Sequence, residues 1–206
     1  MRAISSGILS RNMTKDNIIT LPNPHLRQKS RRVGIITDEI RQVVDDMKDA
    51  TMDWDQSRDH EVGVALAAVQ IDRLYRIVIV RDDYNDKQNQ NFTVFINPEI
   101  TKREGEITAD FEGCLSVPNV YGKVPRHTKV RVKALGLDGR EFRVSAEGFL
   151  ARIFQHEIDH THGIVFIDHI KDDPSAFYRL REDDGKLEAL DYEKDVKNNA
   201  DLWEAA

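Results

Sequence analysis

Two histidines and a glutamate in the stretch QHEIDHTHG, Gln155 to Gly163, have the types and spacing of a metal site. His156 and His160 stand four residues apart, so on a helix their imidazoles project from one face, about one turn apart. One divalent ion can accept both, with Glu157 beside it as a carboxylate able to move a proton. Two imidazoles do not complete such a site, and the third protein ligand decides the chemistry. The longer motif that adds a histidine at residue 166 fails here, because that residue is Phe166. A glutamate twenty or more residues downstream stays open, with Glu182 and Glu188 available in an acidic stretch. So does Cys114, the only cysteine, flanked by Gly113 and Leu115 in EGCLSVP.

The elements that must position these groups mix helix and strand. Ser145 can cap the metal-binding helix, Glu147 suits its positive end, and Gly163 can end it in the left-handed conformation. Phe149, Ile153, His156 and His160 then share one stripe, apolar at one end and metal-binding at the other. That arrangement puts a metal at the rim of a hydrophobic pocket. Upstream, Thr37 to about Asp53 predicts a capped helix, with Ile40, Val43, Val44 and Met47 at helical spacing. The β-branched run Tyr75 to Val80 predicts a strand. Phe92 to Ile100 predicts another, ended by Asn97-Pro98. Asp138-Gly139 between alternating runs predicts a hairpin.

Composition bounds the answer. A chain of 206 residues, 40% hydrophobic and 32% charged, has the size and mix for one buried core. No apolar run approaches the roughly 20 residues that span a bilayer. A single cysteine rules out an intramolecular disulfide and gives no sign of an oxidising compartment. The net charge of −6 argues against direct nucleic-acid binding. Charge is uneven: residues 1–33 hold seven Lys/Arg against one Asp, residues 171–206 six against eleven Asp/Glu. The start MRAISSGILSRNMTK reads as a ragged N-terminus, with an organelle-targeting segment as the other reading. His25, His60, His127, His162 and His169 sit among polar residues and read as solvent-facing.

Three short motifs, GVALAAVQ (Gly63 to Gln70), EGCLS (Glu112 to Ser116) and QHEIDH (Gln155 to His160), in this order resemble those of the peptide deformylase family. The resemblance covers Ile18 to Ile170. It divides the chain into a flexible N-terminal extension (1–17), a catalytic domain (18–170) and an acidic, helical C-terminal extension (171–206). The fold it implies is α+β, with mostly antiparallel sheets around a central helix carrying the HEIDH motif. The activity it implies is hydrolysis of the N-formyl group from the initiator methionine of new polypeptides, releasing formate.

By this resemblance Cys114, His156 and His160 bind one divalent ion. Fe(II) is the expected metal in the cell, and Zn(II), Ni(II) or Co(II) can substitute. Glu157 transfers protons, while the Gln70 amide and the Leu115 N–H stabilise the oxyanion. Substrate backbone pairs with Gly63, Val64 and Ala65 on one side and with Glu112 and Gly113 on the other. The methionine side chain enters a pocket of Phe149, Ile153 and Val64. Glu112 and Arg126 are placed to fix the loop that carries Cys114.

Three departures stand out. Ala65 replaces the family's usual glycine and adds a methyl where substrate backbone is expected to pass, and Val69 replaces a Pro or Thr. The acidic tail differs from the basic C-terminal helix by which bacterial relatives dock on the ribosome, so a ribosome partner is weakened. No membrane partner is expected, and the compartment is the cytoplasm or an organelle. The alternatives are a zinc peptidase with a downstream Glu ligand and a non-catalytic, metal-stabilised member of the same fold.

Overall fold

The computed structural model describes residues 13–181 and 183–203. Its elements in chain order are α1 (Asp38–Gln56), β1 (Ala65–Ala67), β2 (Ile77–Arg81), β3 (Phe92–Cys114), β4 (Val117–Leu135), β5 (Glu141–Glu147), α2 (Gly148–His160), β6 (Phe177–Leu180), β7 (Leu187–Ala189) and α3 (Ala200–Trp203). All strand pairings are antiparallel, in the order β1-β2-β3-β4-β6-β7, with β5 on the far half of β4. The mixed helix-and-sheet class expected from the sequence is what folds.

Period-two alternation explains how one sheet holds both helices. In β2, Ile77 and Ile79 face α1 residues such as Val44 and Met47, while Val78 and Val80 face the other way, toward Ile153 and Phe154 of α2. Leu66 and Ala67 split in the same manner. The short strands β1 and β2 are therefore buried throughout and apolar up to Arg81, because both of their faces are covered. α1 starts as predicted, with Thr37 Oγ1 accepting from the Ile40 N–H at 3.4 Å.

Three expectations about elements are corrected. Asn97-Pro98 does not end a strand, since β3 runs on to Cys114 through a register shift between Ile96 and Glu99. Asn97 takes φ +52°, and its side-chain amide both donates to Val33 O and accepts from Val33 N–H at 2.8 Å, so the break is a bulge. Ser145 does not cap α2. It stays in β5 opposite Arg131, and Gly148 at φ +58° turns the chain from strand directly into helix. The segment after residue 171 is not a helix overall: it adds β6 and β7 to the sheet, then a π-helical turn (Tyr192–Val196) and the four-residue α3. Phe177, Val196 and Leu202 decide this by burying in a third apolar cluster with Phe166 and Ile170.

At the other end, the Lys15 N–H donates to Asp53 Oδ2 at 2.9 Å, so residues just before Ile18 already pack on α1. The remainder of the proposed N-terminal extension, residues 1–12, lies outside the described residues.

Candidate active site

α2 carries the HEIDH motif on a helix that is buried from Ala151 to Ile158 and again at His160. His156 and His160 turn their Nε2 atoms toward each other, 3.2 Å apart. Cys114, where β3 ends, brings its Sγ to 3.2 Å from His160 Nε2. These three are the one His/Cys/Asp/Glu group among the described residues whose donor atoms converge within 4.8 Å. A tetrahedral ion with bonds of about 2.0–2.3 Å to nitrogen and sulfur needs its donors roughly 3.3–3.6 Å apart. Lone pairs crowded this closely repel unless a cation lies among them, so the donor set fits a metal. Burial works against a proton on His156, but Cys114 and Glu112 outweigh it and raise its pKa well above the usual range. The negative surroundings that would draw a proton there suit a cation as well. Burial and the neighbouring His156 hold His160 far below the usual range, so its imidazole is neutral and free to ligate.

Glu188, one of the two downstream candidates, is not among the converging donors. Glu188 is ion-paired with Arg179 across β6 and β7. Glu182 lies outside the described residues.

The site rests on a buried charge network. Glu112 Oε2 accepts from His156 Nδ1 at 3.0 Å and from Arg126 Nη2 at 3.1 Å. Its Oε1 accepts from Arg126 Nε and Arg152 Nη1, each at 2.9 Å. Burial pushes the Glu112 pKa up, but His156 and Arg126 override it and hold it to about 2. Arg126 also donates to Asp159 at 2.5 Å, and Asp159 meets His169 at 2.7 Å. Glu112 and Arg126 are thus a buried pair that orients His156. Fixing a ligand's ring through its second nitrogen sets which nitrogen faces the metal.

Gln70 is held at both ends of its amide. Its Oε1 accepts from the Ala67 N–H at 2.8 Å, which turns Nε2 toward Ser116 Oγ at 3.2 Å and Cys114 Sγ at 3.5 Å. Glu157 is 5% exposed, and its Oε2 has no hydrogen-bond partner. Burial is the main cause that lifts its pKa to about 7, with His156 acting in the opposite direction.

A cavity of about 450 Å³ joins these parts. His156, Glu157, Gln70, Cys114 and Leu115 line its reactive end, and Val64, Ala65 and Ile153 its apolar wall. Phe149 lines it too, but at the rim, 47% exposed and edge-on to Tyr84. Glu112 and Gly113 complete the side formed by β3.

The alternation that ties Val64 O to the Arg81 N–H at 2.8 Å leaves the N–H and C=O of Ala65 directed to the outer edge of β1. Gly63 does not line the cavity, which corrects its expected substrate role. Its N–H donates to Asp55 at 2.6 Å, its C=O accepts from Arg81, and a Cβ there would come within 2.7 Å of Thr51 Cγ2. Gly113 is small for a similar reason: a Cβ would lie 2.6 Å from the Tyr121 ring. The Ala65 methyl belongs to the cluster of Val80, Phe95 and Ile153 and is 3% exposed, so most of it is core rather than an obstacle in the cleft.

Of the other histidines, His25, His60, His162 and His169 keep exposed or partly exposed positions. His127 does not face solvent freely, since its Nδ1 is buried without a partner. The sequence reading missed Arg152, Ser116 and Asp159. Arg152 was readable, because it stands one helical step of four before His156.

The family model described as Polypeptide deformylase matches residues 15–175. A peptide deformylase of Thermomicrobium roseum is 43% identical over 180 residues, covering 86% of this chain and 98% of that one. One from Agrobacterium fabrum is 39% identical over 158 residues, covering 77% and 88%. Among solved structures, a peptide deformylase from Synechococcus elongatus in complex with actinonin superposes with a TM-score of 0.67 at 35% identity, over 76% of this chain and 80% of that one. A plant peptide deformylase gives 0.68 at 28% identity, over 84% of each chain.

Proposed function

Because this chain belongs to the peptide deformylase family, we propose that Cys114, His156 and His160 form its metal site and that Glu157 is its proton carrier. The activity is hydrolysis of the formyl group from formyl-methionyl peptides, with formate and a free amino terminus as products. The observation that carries the residue assignment is the unpartnered, buried Glu157 carboxylate beside three converging donors. A divalent ion held by those donors, Fe(II) in our reading, supplies Lewis acidity that makes water nucleophilic near neutral pH.

Glu157 takes a proton from the attacking water as its oxygen adds to the formyl carbon. It then returns that proton to the amine nitrogen as the carbon–nitrogen bond breaks. The Gln70 amide, already turned toward Cys114, and the Leu115 N–H would meet the oxyanion. An extended peptide fits between the open edge of β1 at Ala65 and β3 at Gly113, pairing through backbone groups that ignore sequence. Ile153 and Val64, with Phe149 at the rim, would hold the methionine side chain.

We take residues 18–170 as the catalytic domain. The acidic segment after it adds strands to the sheet in place of a basic helix, which weakens a ribosome contact of that kind. No helix among the described residues is long and apolar enough to cross a membrane. The cytoplasm, or an organelle that makes formylated chains, is the compartment this reading implies.

The test is formate release from a formyl-Met tripeptide by protein purified without oxygen and loaded with Fe(II), with the acetyl-Met analogue alongside. Release from the formyl peptide alone is expected. No release at one bound metal per chain would refute the reading.

A further inference from the structure

The C-terminal hairpin formed by β6 and β7 lies beyond the family match at residues 15–175, yet it supplies a wall of the cavity. Strand register shows how. Gly113 pairs with Tyr121 and Tyr121 with Tyr178, so these residues stand in one row on one face of the sheet. On the same face, Phe111 on β3 lies two residues to one side of that row and Leu180 on β6 two residues to the other. Leu187 on β7 is the direct partner of Leu180. Phe111, Leu180 and Leu187 all line the cavity, and the Phe111 ring sits edge-on to Tyr178 with centroids 4.9 Å apart. The tip of the hairpin reaches the opposite rim, where a Cβ on Gly185 would lie 3.1 Å from His60 Cγ. The cleft is therefore walled at this end by half-exposed apolar side chains on a segment that is otherwise strongly acidic.

The geometry points to the Leu180–Leu187 pair, which walls the cavity across the Tyr178 row from Phe111, as an apolar subsite for a residue that follows the formyl-methionine, making this hairpin a specificity element for the nascent chain. The inference rests on the deformylase reading. A peptide paired along Ala65 and Gly113 carries alternate side chains over the face that bears these three residues. The subsite favours peptides with an aliphatic or aromatic residue there over those with serine.

Three substrates test it: formyl-Met-Leu-Ser, formyl-Met-Ser-Leu and formyl-Met-Ser-Ser, with kcat and KM measured for each. For the parent enzyme, at least one leucine peptide should exceed the Ser-Ser peptide about tenfold in kcat/KM, through a lower KM. In the double variant Leu180→Ser/Leu187→Ser that ratio should fall below about two. Should the double variant fail to fold, Leu187→Ser alone, on the outer strand, is held to the same criterion. Equal treatment of the three peptides by the parent, or a ratio the variant leaves intact, overturns the subsite. Failure of the parent to hydrolyse any formyl peptide would count against the deformylase reading instead.

Discussion

Replacing Glu112 with glutamine should unsettle the metal site without touching a ligand. The carboxylate accepts four hydrogen bonds, two at Oε1 from Arg126 Nε and Arg152 Nη1, and two at Oε2 from Arg126 Nη2 and His156 Nδ1. A glutamine oxygen can keep the first pair. The amide nitrogen then faces the second pair, donor against donor, and two charge-assisted bonds are lost. Arg126 keeps Asp159 as a counter-charge, but Arg152 loses its charged partner and keeps the neutral glutamine oxygen and the carbonyls of Val124 and Thr108. All three side chains are at most 7% exposed, so water offers little relief. Breaking a buried pair costs about 3–5 kcal/mol, and the retained oxygen places this variant near the lower end. In a protein of this size, about 3 kcal/mol lowers Tm by roughly 6–12 °C. Releasing His156 Nδ1 should weaken metal binding about 10- to 100-fold. Thermal unfolding of the metal-free protein measures the first effect, and competition with a chelator measures the second. A variant within about 2 °C of the parent, with unchanged metal affinity, would show that the network does not hold His156 in place.

The remaining expectations follow the site outward. Gln70→Leu should lower kcat about 100- to 1,000-fold while metal stays bound, and unchanged turnover would remove Gln70 from the oxyanion role. Glu157→Ala should abolish nearly all turnover with metal still present by elemental analysis, so an active variant refutes the proton-transfer role. Cys114→Ala should cost more metal affinity than the roughly 100-fold worth of an outer partner, and full retention of metal would return the third ligand to a downstream glutamate. Ala65→Gly removes a packed methyl and adds backbone freedom, so it should destabilise the protein by about 1 kcal/mol, seen as a Tm lower by roughly 2–4 °C. Its kcat/KM should stay within about threefold, whereas a tenfold rise would mean that the methyl does block the cleft.

What the residues themselves determined was local. The four-residue step from His156 to His160 is a property of any helix that contains them, and α2 had only to form. The β-branched run in β2 and the Asp138-Gly139 turn are likewise short-range preferences, and both came out as read. Folding decided what depends on residues far apart in the chain. Asn97 reads as a terminator until its amide finds Val33, 64 positions away. Glu112 and Arg126 read as supports of the Cys114 loop, and their hold on His156 exists only once α2 packs over them and brings His156 and Arg152. The acidic tail reads as solvated helix because charge dominates its composition. Its sparse apolar residues, Phe177, Val196 and Leu202, prevail because burying them against Phe166 and Ile170 outweighs the preference of exposed charged positions, which can turn outward in either conformation. No local pattern could show that Leu180 and Leu187 would border a cavity built around residues more than twenty positions upstream, since only strand register carries them there.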